Sequence, residues 1–363
     1  MSLDPDPAAP PFSASHTSLR SEVRSWVASQ VRPHVSAWEE AREFPSSLYA
    51  SAGAAGLLGW KYGPDWGGRG PDWLADVVVT EELARCGSGG VAAGLGATKD
   101  LAPLYVFRFG TDAQRQRWLA PCVSGHAVAG LAVTEPGAGS DVAALTTRAR
   151  RVSDGWVIDG AKVFCTNGSR ADWLLVAART SDEPGHAGIS LFVVPTSAPG
   201  FSASRIPTLG WRTSQTGALS FADVLVPDDA LLGAPGEGFV QIMRSFQWER
   251  LALAVASVSA AAANLSACGP PPEPLVRRLV AVRALTYDAL ARHLADEDTL
   301  RQVSAAKWLA CDLDVETALL RYERLGDAAS ERALRDARLG PIGGGAREVM
   351  AELVARTLPL AQG

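Results

Sequence analysis

Hydrophobic positions recur every three or four residues along the first third of the chain, which is the spacing of an amphipathic helix. The pattern covers residues 18–124, is clearest over residues 48–58 and 73–85, and is broken by a Gly- and Pro-rich loop at residues 63–68. It predicts a helical region of several helices.

A different period follows over residues 127–227, where short apolar runs are bounded by Gly, Pro and Asp. Residues 146–152 and 156–160 flank the turn Ser153-Asp154-Gly155, which is typical of a β-hairpin. The further predicted strands are residues 174–178, 190–194 and 219–224. This region therefore favours an antiparallel β domain.

Helical spacing returns from residue 238 to the end of the chain. A long Ala-rich helix is predicted over residues 239–265, and the run Gly269-Pro270-Pro271-Pro272 ends it because proline cannot continue a helix. The further predicted helices cover residues 275–295, 300–325 and 346–355.

The order helical, β, helical differs from the alternation of a doubly wound βαβ fold. We predict an α+β multidomain protein with an N-terminal helical domain, a middle antiparallel β domain and a C-terminal helical bundle. The predicted domain boundaries are residues 1–126, 127–236 and 237–363.

Composition and charge narrow the classes of function. Lys plus Arg number 34 and Asp plus Glu 39, for a net charge of -5, whereas nucleic-acid binders usually carry a basic stripe. No stretch reaches the ~18 uninterrupted apolar residues of a membrane helix, and residues 1–11 lack the regions of a signal peptide. Five cysteines without Cys-x-x-Cys spacing and five dispersed histidines favour neither disulfides nor a metal. We expect a cytoplasmic protein without nucleic acid, metal or membrane span.

The first candidate for chemistry is Thr134-Glu135-Pro136-Gly137-Ala138-Gly139-Ser140-Asp141, which follows an apolar stretch at residues 129–133. Two glycines and a proline indicate a tight loop. Its backbone N–H groups, with the hydroxyls of Thr134 and Ser140, can meet a phosphate or the polar edge of a ligand. It matches neither GxxxxGK[ST] nor GxGxxG. From the residues alone, an ordinary loop is the alternative.

The second candidate is Lys162-Val163-Phe164-Cys165-Thr166-Asn167-Gly168, just after the predicted hairpin. On a regular strand Phe164 and Thr166 project from one face, and an aromatic ring beside a hydroxyl suits a flat heterocycle. An ordinary edge pair before an Asn-Gly turn is the alternative.

These two segments resemble the acyl-CoA dehydrogenase family, in which TEPGAGSD and K-x-[WF]-x-T-N-G line a flavin. Further matches to family positions follow in order along nearly the whole chain, at residues 81–85, 109–111, 209–214, 226–227, 236–239, 335–338 and 342–345. The resemblance implies a helical domain, a β domain and a four-helix bundle, with FAD as cofactor.

The resemblance also assigns residues to the cofactor. Those assigned to the flavin are Leu131, Val133, Thr134, Gly139, Ser140, Phe164, Thr166 and Glu348. Phe164 and Thr166 would cover and hydrogen-bond the ring near N5, and Ser140 would also contact the acyl-CoA. For Glu348, an exposed carboxylate at a helix start is the alternative.

In the family reaction a carboxylate removes the α-proton of an acyl thioester while the β-hydride passes to flavin N5. Hydrogen bonds to the thioester carbonyl must stabilise the developing enolate. Many members carry this carboxylate in a late Y-E-G-T motif, which here reads Gly343-Gly344-Gly345-Ala346, with Gly344 at the glutamate position. In long-chain and isovaleryl-type members it lies on the first long C-terminal helix, directly before an arginine.

Glu249 occupies that second position, directly before Arg250. Ile242, Phe246, Glu249 and Leu253 recur at helical spacing, so Glu249 lies within an apolar stripe where desolvation should raise its pKa. We predict that Glu249 is the catalytic base and that Ser140, Phe246, Arg250 and Gly344 lie at the substrate. A structural glutamate paired with Arg250 or Arg244 is the alternative.

Two motifs that hold the ADP half of FAD in the family are missing. The R-x-x-F-G stretch falls in a deletion near residues 269–274, and residues 320–327 replace Q-x-x-G-G. The late-motif threonine that contacts the FAD phosphates is Ala346. The resemblance therefore predicts an intact isoalloxazine half and a degraded ADP half of the site.

We predict FAD-dependent α,β-dehydrogenation of an acyl-CoA or acyl-carrier thioester, with an electron-transferring flavoprotein as acceptor. We expect a homodimer or homotetramer, because an Ala-rich bundle usually hides its apolar faces against another subunit. One alternative is a catalytically silent paralogue or partner subunit with weak or no FAD. The other is a flavin oxidase or monooxygenase on the same fold.

Overall fold

The computed structural model describes residue 3, residues 11–183 and residues 185–358. Within these ranges the chain forms helices, then a sheet, then helices, which confirms the predicted fold class. Most of residues 1–11, where no signal peptide is expected, lies outside the described residues.

In the described residues, eight α-helices precede the sheet. They are α1 (Ala14–Gln30), α2 (Val35–Ala41), α3 (Ser47–Ala54), α4 (Trp73–Ala84), α5 (Gly89–Asp100), α6 (Ala102–Phe109), α7 (Asp112–Gln114) and α8 (Ala120–Val123), with a π-helical turn at Arg115–Leu119. Helix α5 is capped at its N-terminus by Ser88, whose side chain accepts a hydrogen bond from the Val91 N–H. It ends at Asp100 because Leu101 leaves helical geometry (φ -98°, ψ -113°). The α5–α6 corner is therefore sharp.

The middle region is one eight-stranded sheet. Its strands are β1 (Ala129–Ala132), β2 (Arg148–Val152), β3 (Gly155–Cys165), β4 (Trp173–Arg179), β5 (Ile189–Pro195), β6 (Phe201–Arg205), β7 (Gly217–Val226) and β8 (Leu231–Leu232). The order is β6-β7-β3-β2-β4-β5-β8, with β1 beside β4. The predicted hairpin is β2–β3, and most pairings are antiparallel as expected. The exceptions are β1, which is parallel to β4, and a single parallel pair between β2 and β4.

Strand β4 is buried on both faces, which places the sheet between two cores. Leu175 and Ala177 pack into the large core shared with the helices. Leu174 and Val176 pack with side chains of β3, β5 and β7 into a second core. Burial on both sides explains why β4 reads as a continuous apolar run.

The C-terminal helices are α9 (Gly238–Ala267), α10 (Glu273–Leu294), α11 (Leu300–Leu325), α12 (Ala328–Ala337) and α13 (Arg347–Arg356). The sequence pattern did not predict α12. Helix α9 packs against α11, α10 and α4. Among the described residues it is the one helix long and apolar enough to cross a membrane, but 61% of that window is buried, as expected of a core helix.

One carboxylate joins the three regions. Asp336 of α12 accepts hydrogen bonds from the backbone N–H of Gly89, at the start of α5 (2.8 Å), and of Trp211, between β6 and β7 (2.6 Å). Burial and the nearby Glu39 raise the pKa of Asp336 to about 6, although both backbone donors favour the charged form. The helical domain, the sheet and the C-terminal helices are therefore tied together at Asp336.

Candidate active site

The loop after β1 lies at the surface and leaves open space beside its glycines. Gly139 and Ser140 are exposed, Thr134 is half-buried and Val133 is buried. A Cβ atom placed on Gly137 meets nothing within 4 Å, and one placed on Gly139 meets only the Thr134 side chain, at 3.9 Å. Neither glycine has a positive φ. The tight bend that the sequence suggested is present, because Glu135 and Ala138 exchange backbone hydrogen bonds (2.9 and 3.2 Å) across Pro136 and Gly137. The open space beside the two glycines leaves the backbone of the loop accessible.

A buried ion pair links the two segments that carry the resemblance. The Glu135 carboxylate accepts hydrogen bonds from the Lys162 ammonium (2.8 Å) and from the backbone N–H groups of Thr146 (2.7 Å) and Thr147 (2.8 Å). Burial opposes the Glu135 charge, but these hydrogen bonds outweigh it and lower its pKa to about 2. Burial lowers the pKa of Lys162 to about 8 against the attraction of Glu135. Both side chains are charged at neutral pH, so the pair anchors the loop to β3.

Strand β3 ends in a bulge at Phe164. The register against β7 shifts between Lys162 and Cys165, and Phe164 has a φ of 58°. The expectation that Phe164 and Thr166 project from one face of a regular strand is therefore wrong, because β3 is bulged at Phe164 and ends before Thr166. The bulge leaves the Phe164 ring 66% exposed. A ring this exposed has a face available for stacking on a flat heterocycle.

Asn167 fixes the end of the same segment inside the fold. Its side-chain amide donates to the backbone oxygens of Gly94 (2.9 Å) and Ala129 (3.2 Å), and its oxygen accepts from the Tyr49 hydroxyl (2.8 Å). Asn167 is fully buried and adopts a φ of 63°, which asparagine tolerates better than most residues. The sequence suggested only a turn residue here. The structure shows a tie between the helices and the sheet.

Glu249 lies on α9 with its carboxylate bound to the Tyr105 hydroxyl of α6, which donates at 2.9 Å. Burial raises the pKa of Glu249 to about 7, although Tyr105 and Arg250 stabilise its charged form. The alternative of a glutamate paired with Arg250 or Arg244 is not what the structure shows, since its hydrogen-bond partner is Tyr105. Tyr105 was missed at the sequence level because 144 residues separate the two partners.

Arg250 points to the late glycine loop instead. Its Nε donates to the Gly344 oxygen at 3.3 Å, and its guanidinium lies 5.7 Å from the centre of the Phe246 ring. Gly344 has a φ of 66°, a conformation that glycine adopts without strain. Three of the four residues predicted at the substrate, Phe246, Arg250 and Gly344, are thus brought together, whereas Ser140 lies on the loop after β1.

The segments that stand in place of the family's ADP-binding motifs are well-ordered turns and helix ends. Residues 268–272 form a short turn between α9 and α10, and Arg324 of α11 donates to the Cys268 oxygen (3.0 Å) and the Pro270 oxygen (2.7 Å). The segment that replaces Q-x-x-G-G is the end of α11 with its Gly326 cap. Glu348 is exposed in the first turn of α13, where the alternative interpretation placed it.

Helix α5 connects the β-domain residues with those around Glu249. The Gly94 oxygen, in the middle of α5, accepts from Asn167. Asp100, the last residue of α5, accepts at 2.9 Å from the indole N–H of Trp248, the residue before Glu249. Helix α5 therefore links the part of the β domain that carries Phe164 and the open loop to helix α9, which carries Glu249.

The helices, the sheet and the helical bundle form the three-domain arrangement that the sequence resemblance implies. Comparisons with known proteins specify the family. The N-terminal, middle and C-terminal acyl-CoA dehydrogenase domain families match residues 13–126, 130–224 and 275–358. The chain belongs to the acyl-CoA dehydrogenase family.

The relatives cover nearly the whole chain. The mitochondrial long-chain specific acyl-CoA dehydrogenase of Mus musculus is 32% identical over 96% of this chain and 87% of its own length. The mitochondrial isovaleryl-CoA dehydrogenase of Oryza sativa subsp. japonica is 30% identical over 96% and 92%. The crystal structure of an acyl-CoA dehydrogenase from Geobacillus kaustophilus is 31% identical, covers 97% of this chain and 100% of its own, and has a TM-score of 0.91.

Family membership implies FAD-dependent dehydrogenation of an acyl-CoA. The residues present fit the ring half of this cofactor, because the loop after β1 is open beside Gly137 and Gly139 and the Phe164 ring is 66% exposed. The turn at residues 268–272 is held by two hydrogen bonds from Arg324 to its backbone oxygens.

Proposed function

We propose that this enzyme desaturates an acyl-CoA or acyl-carrier thioester between its α and β carbons, with Glu249 as the catalytic base. The observation that carries the proposal is the Glu249 carboxylate, which is held by Tyr105 and has a pKa raised by burial to about 7. A base with a pKa near the working pH combines a substantial ionised fraction with a good affinity for the proton.

The proton transfer can be followed on the chain's own atoms. Ionised Glu249 takes the α-proton of the thioester and becomes a neutral acid, a form that its partly buried setting favours. The Tyr105 hydroxyl donates to Glu249 Oε1, which leaves the second oxygen for the substrate proton. Phe246 lies one turn before Glu249 on the same stripe of α9 and offers an apolar wall to the acyl chain.

FAD, when bound, supplies the acceptor for the hydride that leaves the β carbon. Leu131, Val133, Thr134, Gly139, Ser140, Phe164 and Thr166 are the residues proposed to hold its ring half. Phe164 offers its exposed ring face, and the loop offers backbone N–H groups beside the open glycines. Glu348 is proposed at the cofactor on the family resemblance alone.

Substrate contacts are proposed for Ser140, Phe246, Arg250 and Gly344. The contact between Arg250 and the Gly344 oxygen joins α9 to the late loop. Arg250 is buried, and desolvation lowers its pKa, so it suits a fixed structural or CoA-side role.

Two partners follow from the family resemblance. An electron-transferring flavoprotein is the proposed electron acceptor. A homodimer or homotetramer is the proposed assembly, supported by exposed apolar side chains on α10 and α11, among them Val280 (61% exposed) and Leu325 (44%). Cytoplasmic localisation stays a prediction.

A second candidate function is a catalytically silent partner subunit, and one observation favours it. Arg324 binds the short turn at residues 268–272, and this turn lies where the family resemblance would place the R-x-x-F-G contacts to the ADP half of FAD. A purified protein that binds no flavin would support this second function.

The test starts with the visible spectrum of the purified protein, before and after excess FAD, and then under anaerobic acyl-CoA. A flavin band that bleaches with one acyl-CoA supports the dehydrogenase, and the absence of flavin after reconstitution supports the silent subunit. Hydrogen peroxide formed in air without another acceptor points to an oxidase or monooxygenase.

The Glu249→Gln variant tests the base. It should keep flavin and acyl-CoA binding but bleach about 10²–10⁴-fold more slowly. The matched control is Glu352→Gln, at an exposed carboxylate of α13 paired with Arg356, and should bleach at the parental rate. A Glu249→Gln variant that also bleaches at the parental rate refutes the assignment.

A further inference from the structure

Four charged side chains form a closed, buried cluster in contact with Trp248, the residue before Glu249. Lys61 bridges Asp76 (2.8 Å) and Asp100 (2.6 Å), and Lys99 bridges the same two carboxylates (2.6 and 2.8 Å). All four are buried, and the cluster is electrically balanced. Buried charges are costly, and an apolar replacement of similar volume is often as stable. Stability alone therefore does not account for this cluster.

One further bond connects the cluster to α9. Asp100 Oδ1 accepts from the Trp248 indole N–H at 2.9 Å. Trp248 is 1% exposed and packs edge-on against Trp73, with ring centres 4.5 Å apart. Trp248 directly precedes Glu249, and consecutive residues on an α-helix point about 100° apart. A Trp248 ring held in place therefore fixes the rotation of the α9 turn from which the Glu249 side chain projects.

The same corner of the fold holds both residues. Asp100 ends α5 and binds Trp248, and Tyr105 in the following α6 binds Glu249. Because Leu101 turns the chain sharply between the two helices, α5 and α6 hold consecutive residues of α9 from different directions. Two such contacts fix the rotation of α9 about its own axis.

We propose that Asp100 is a positioning residue for Glu249: anchored by Lys61 and Lys99, it holds the Trp248 indole and so orients the carboxylate toward the substrate. The inference rests on the proposed role of Glu249 and adds residues to which no role is assigned.

The groups that face Glu249 come from three helices. Tyr105 and Arg108 of α6 and Arg250 of α9 favour its charged form, whereas the negative charge of Asp100 on α5 disfavours it. Asp100 thus has two separable effects, an orienting one through Trp248 and an electrostatic one through its charge. Different variants remove each of them.

Trp248→Phe removes the indole N–H and keeps an aromatic ring against Trp73. We expect flavin bleaching at saturating acyl-CoA to slow about 10-fold or more, because misplacement of a reacting group by about 1 Å can cost that much. KM and flavin content should stay near the parental values. The midpoint of the pH–rate profile should stay in place, since the charge of Asp100 remains.

Asp100→Asn removes the charge. Its amide oxygen can still accept from the Trp248 indole, so we expect less slowing than in Trp248→Phe. We expect a midpoint shifted to lower pH, because a negative charge that raises the pKa of Glu249 is gone. The matched control is Tyr62→Phe, which removes a hydrogen bond to the Lys99 backbone oxygen beside the cluster without touching α9. This control should lower the melting temperature and leave rate and midpoint unchanged.

A purely structural role gives a different result. If Trp248→Phe and Tyr62→Phe both lower the melting temperature while the rate stays within about twofold of the parent, less than about 0.4 kcal/mol in the barrier, the proposal is refuted. If the variants do not fold, a crystal structure of the parent protein tests the proposal. A Trp248 Nε1 atom that lies beyond hydrogen-bonding distance of Asp100 would refute it. Failure of the proposed function is recognised separately, since the parent would then not bleach with any acyl-CoA.

Discussion

The Lys162 ammonium lies 2.8 Å from the Glu135 carboxylate, and this buried ion pair connects the loop after β1 to strand β3. Lys162 also donates to the Val133 oxygen at 3.1 Å, and the Val163 N–H donates to the Thr134 oxygen at 2.9 Å. The open loop and the exposed Phe164 are therefore held at a fixed distance from one another before any ligand arrives.

Lys162→Met should weaken both the fold and flavin binding. The side chains of Glu135 and Lys162 are only 4% and 0% exposed, and removing one partner of a buried pair typically costs about 3–5 kcal/mol. We expect a lower midpoint of chemical denaturation and a loss of bound flavin, measured by the absorbance of the purified protein and by titration with FAD.

The control for this change is Glu135→Gln combined with Lys162→Met. The double variant removes both charges, so no uncompensated charge stays buried, and it should recover part of the lost stability. A single Lys162→Met variant as stable as the parent would show that the pair is not an anchor.

The rate of flavin bleaching should rise with pH through a midpoint near 7, because Glu249 must be ionised to accept a proton. Tyr105→Phe removes a hydrogen bond that stabilises the charged form, so its midpoint should move to higher pH. Stopped-flow bleaching of parent and variant over a series of pH values measures both. A midpoint that stays in place in Tyr105→Phe would contradict the contact.

Glu249 also makes stability depend on pH in a defined direction. Its pKa is about 7 in the folded protein and about 4.3 in an unfolded chain. Folding therefore favours its protonated form. The resulting stabilisation is fully present below about pH 4.3 and is lost as the pH rises through 7. Glu249→Gln should flatten this part of the pH–stability curve, as measured by denaturant titration.

Asn167→Asp should be strongly destabilising although the two side chains have the same shape. A carboxylate would face the Gly94 and Ala129 oxygens that now accept from the amide, so we expect a loss of about 3 kcal/mol or more. Both residue types tolerate the positive φ at this position. Tyr49→Phe, which removes only one hydrogen bond of Asn167, should cost about 1 kcal/mol. Equal denaturation midpoints for the two variants would contradict this ranking.

Sedimentation velocity tests the proposed assembly. A dimer or tetramer is expected, because Val280, Leu319 and Leu325 expose apolar surface on α10 and α11. Val280→Glu should shift the distribution toward smaller species. A parent protein that sediments as a clean monomer removes the proposal.

The periodic parts of the fold could be predicted because their signal is local. The helix predicted over residues 239–265 is α9 (Gly238–Ala267), and the strand predicted over residues 174–178 lies within β4 (Trp173–Arg179). Each depends on side chains a few residues apart, so the repeat of apolar positions suffices. The Ser153-Asp154-Gly155 turn likewise fixed the β2–β3 hairpin.

The details of the site depend on contacts that the local pattern does not contain. The Phe164 bulge arises from the register of β3 against β7, more than fifty residues further along the chain. Tyr105 meets Glu249, and Lys61 meets Asp100, only after the helices pack. One local signal was available for the cluster: Asp76 is a lone charge within the apolar run of α4. A charge in such a place is usually paired.

Asp336 has a consequence for how the molecule comes apart. Its carboxylate is satisfied only while the Gly89 and Trp211 N–H groups are both in place, one on the first helical domain and one on the sheet domain. If either domain opens, the Asp336 carboxylate loses a hydrogen-bond donor, and this loss destabilises the part of the molecule that is still folded. The three domains are thus expected to melt in a single calorimetric transition, and a protease should release no stable fragment at either domain junction.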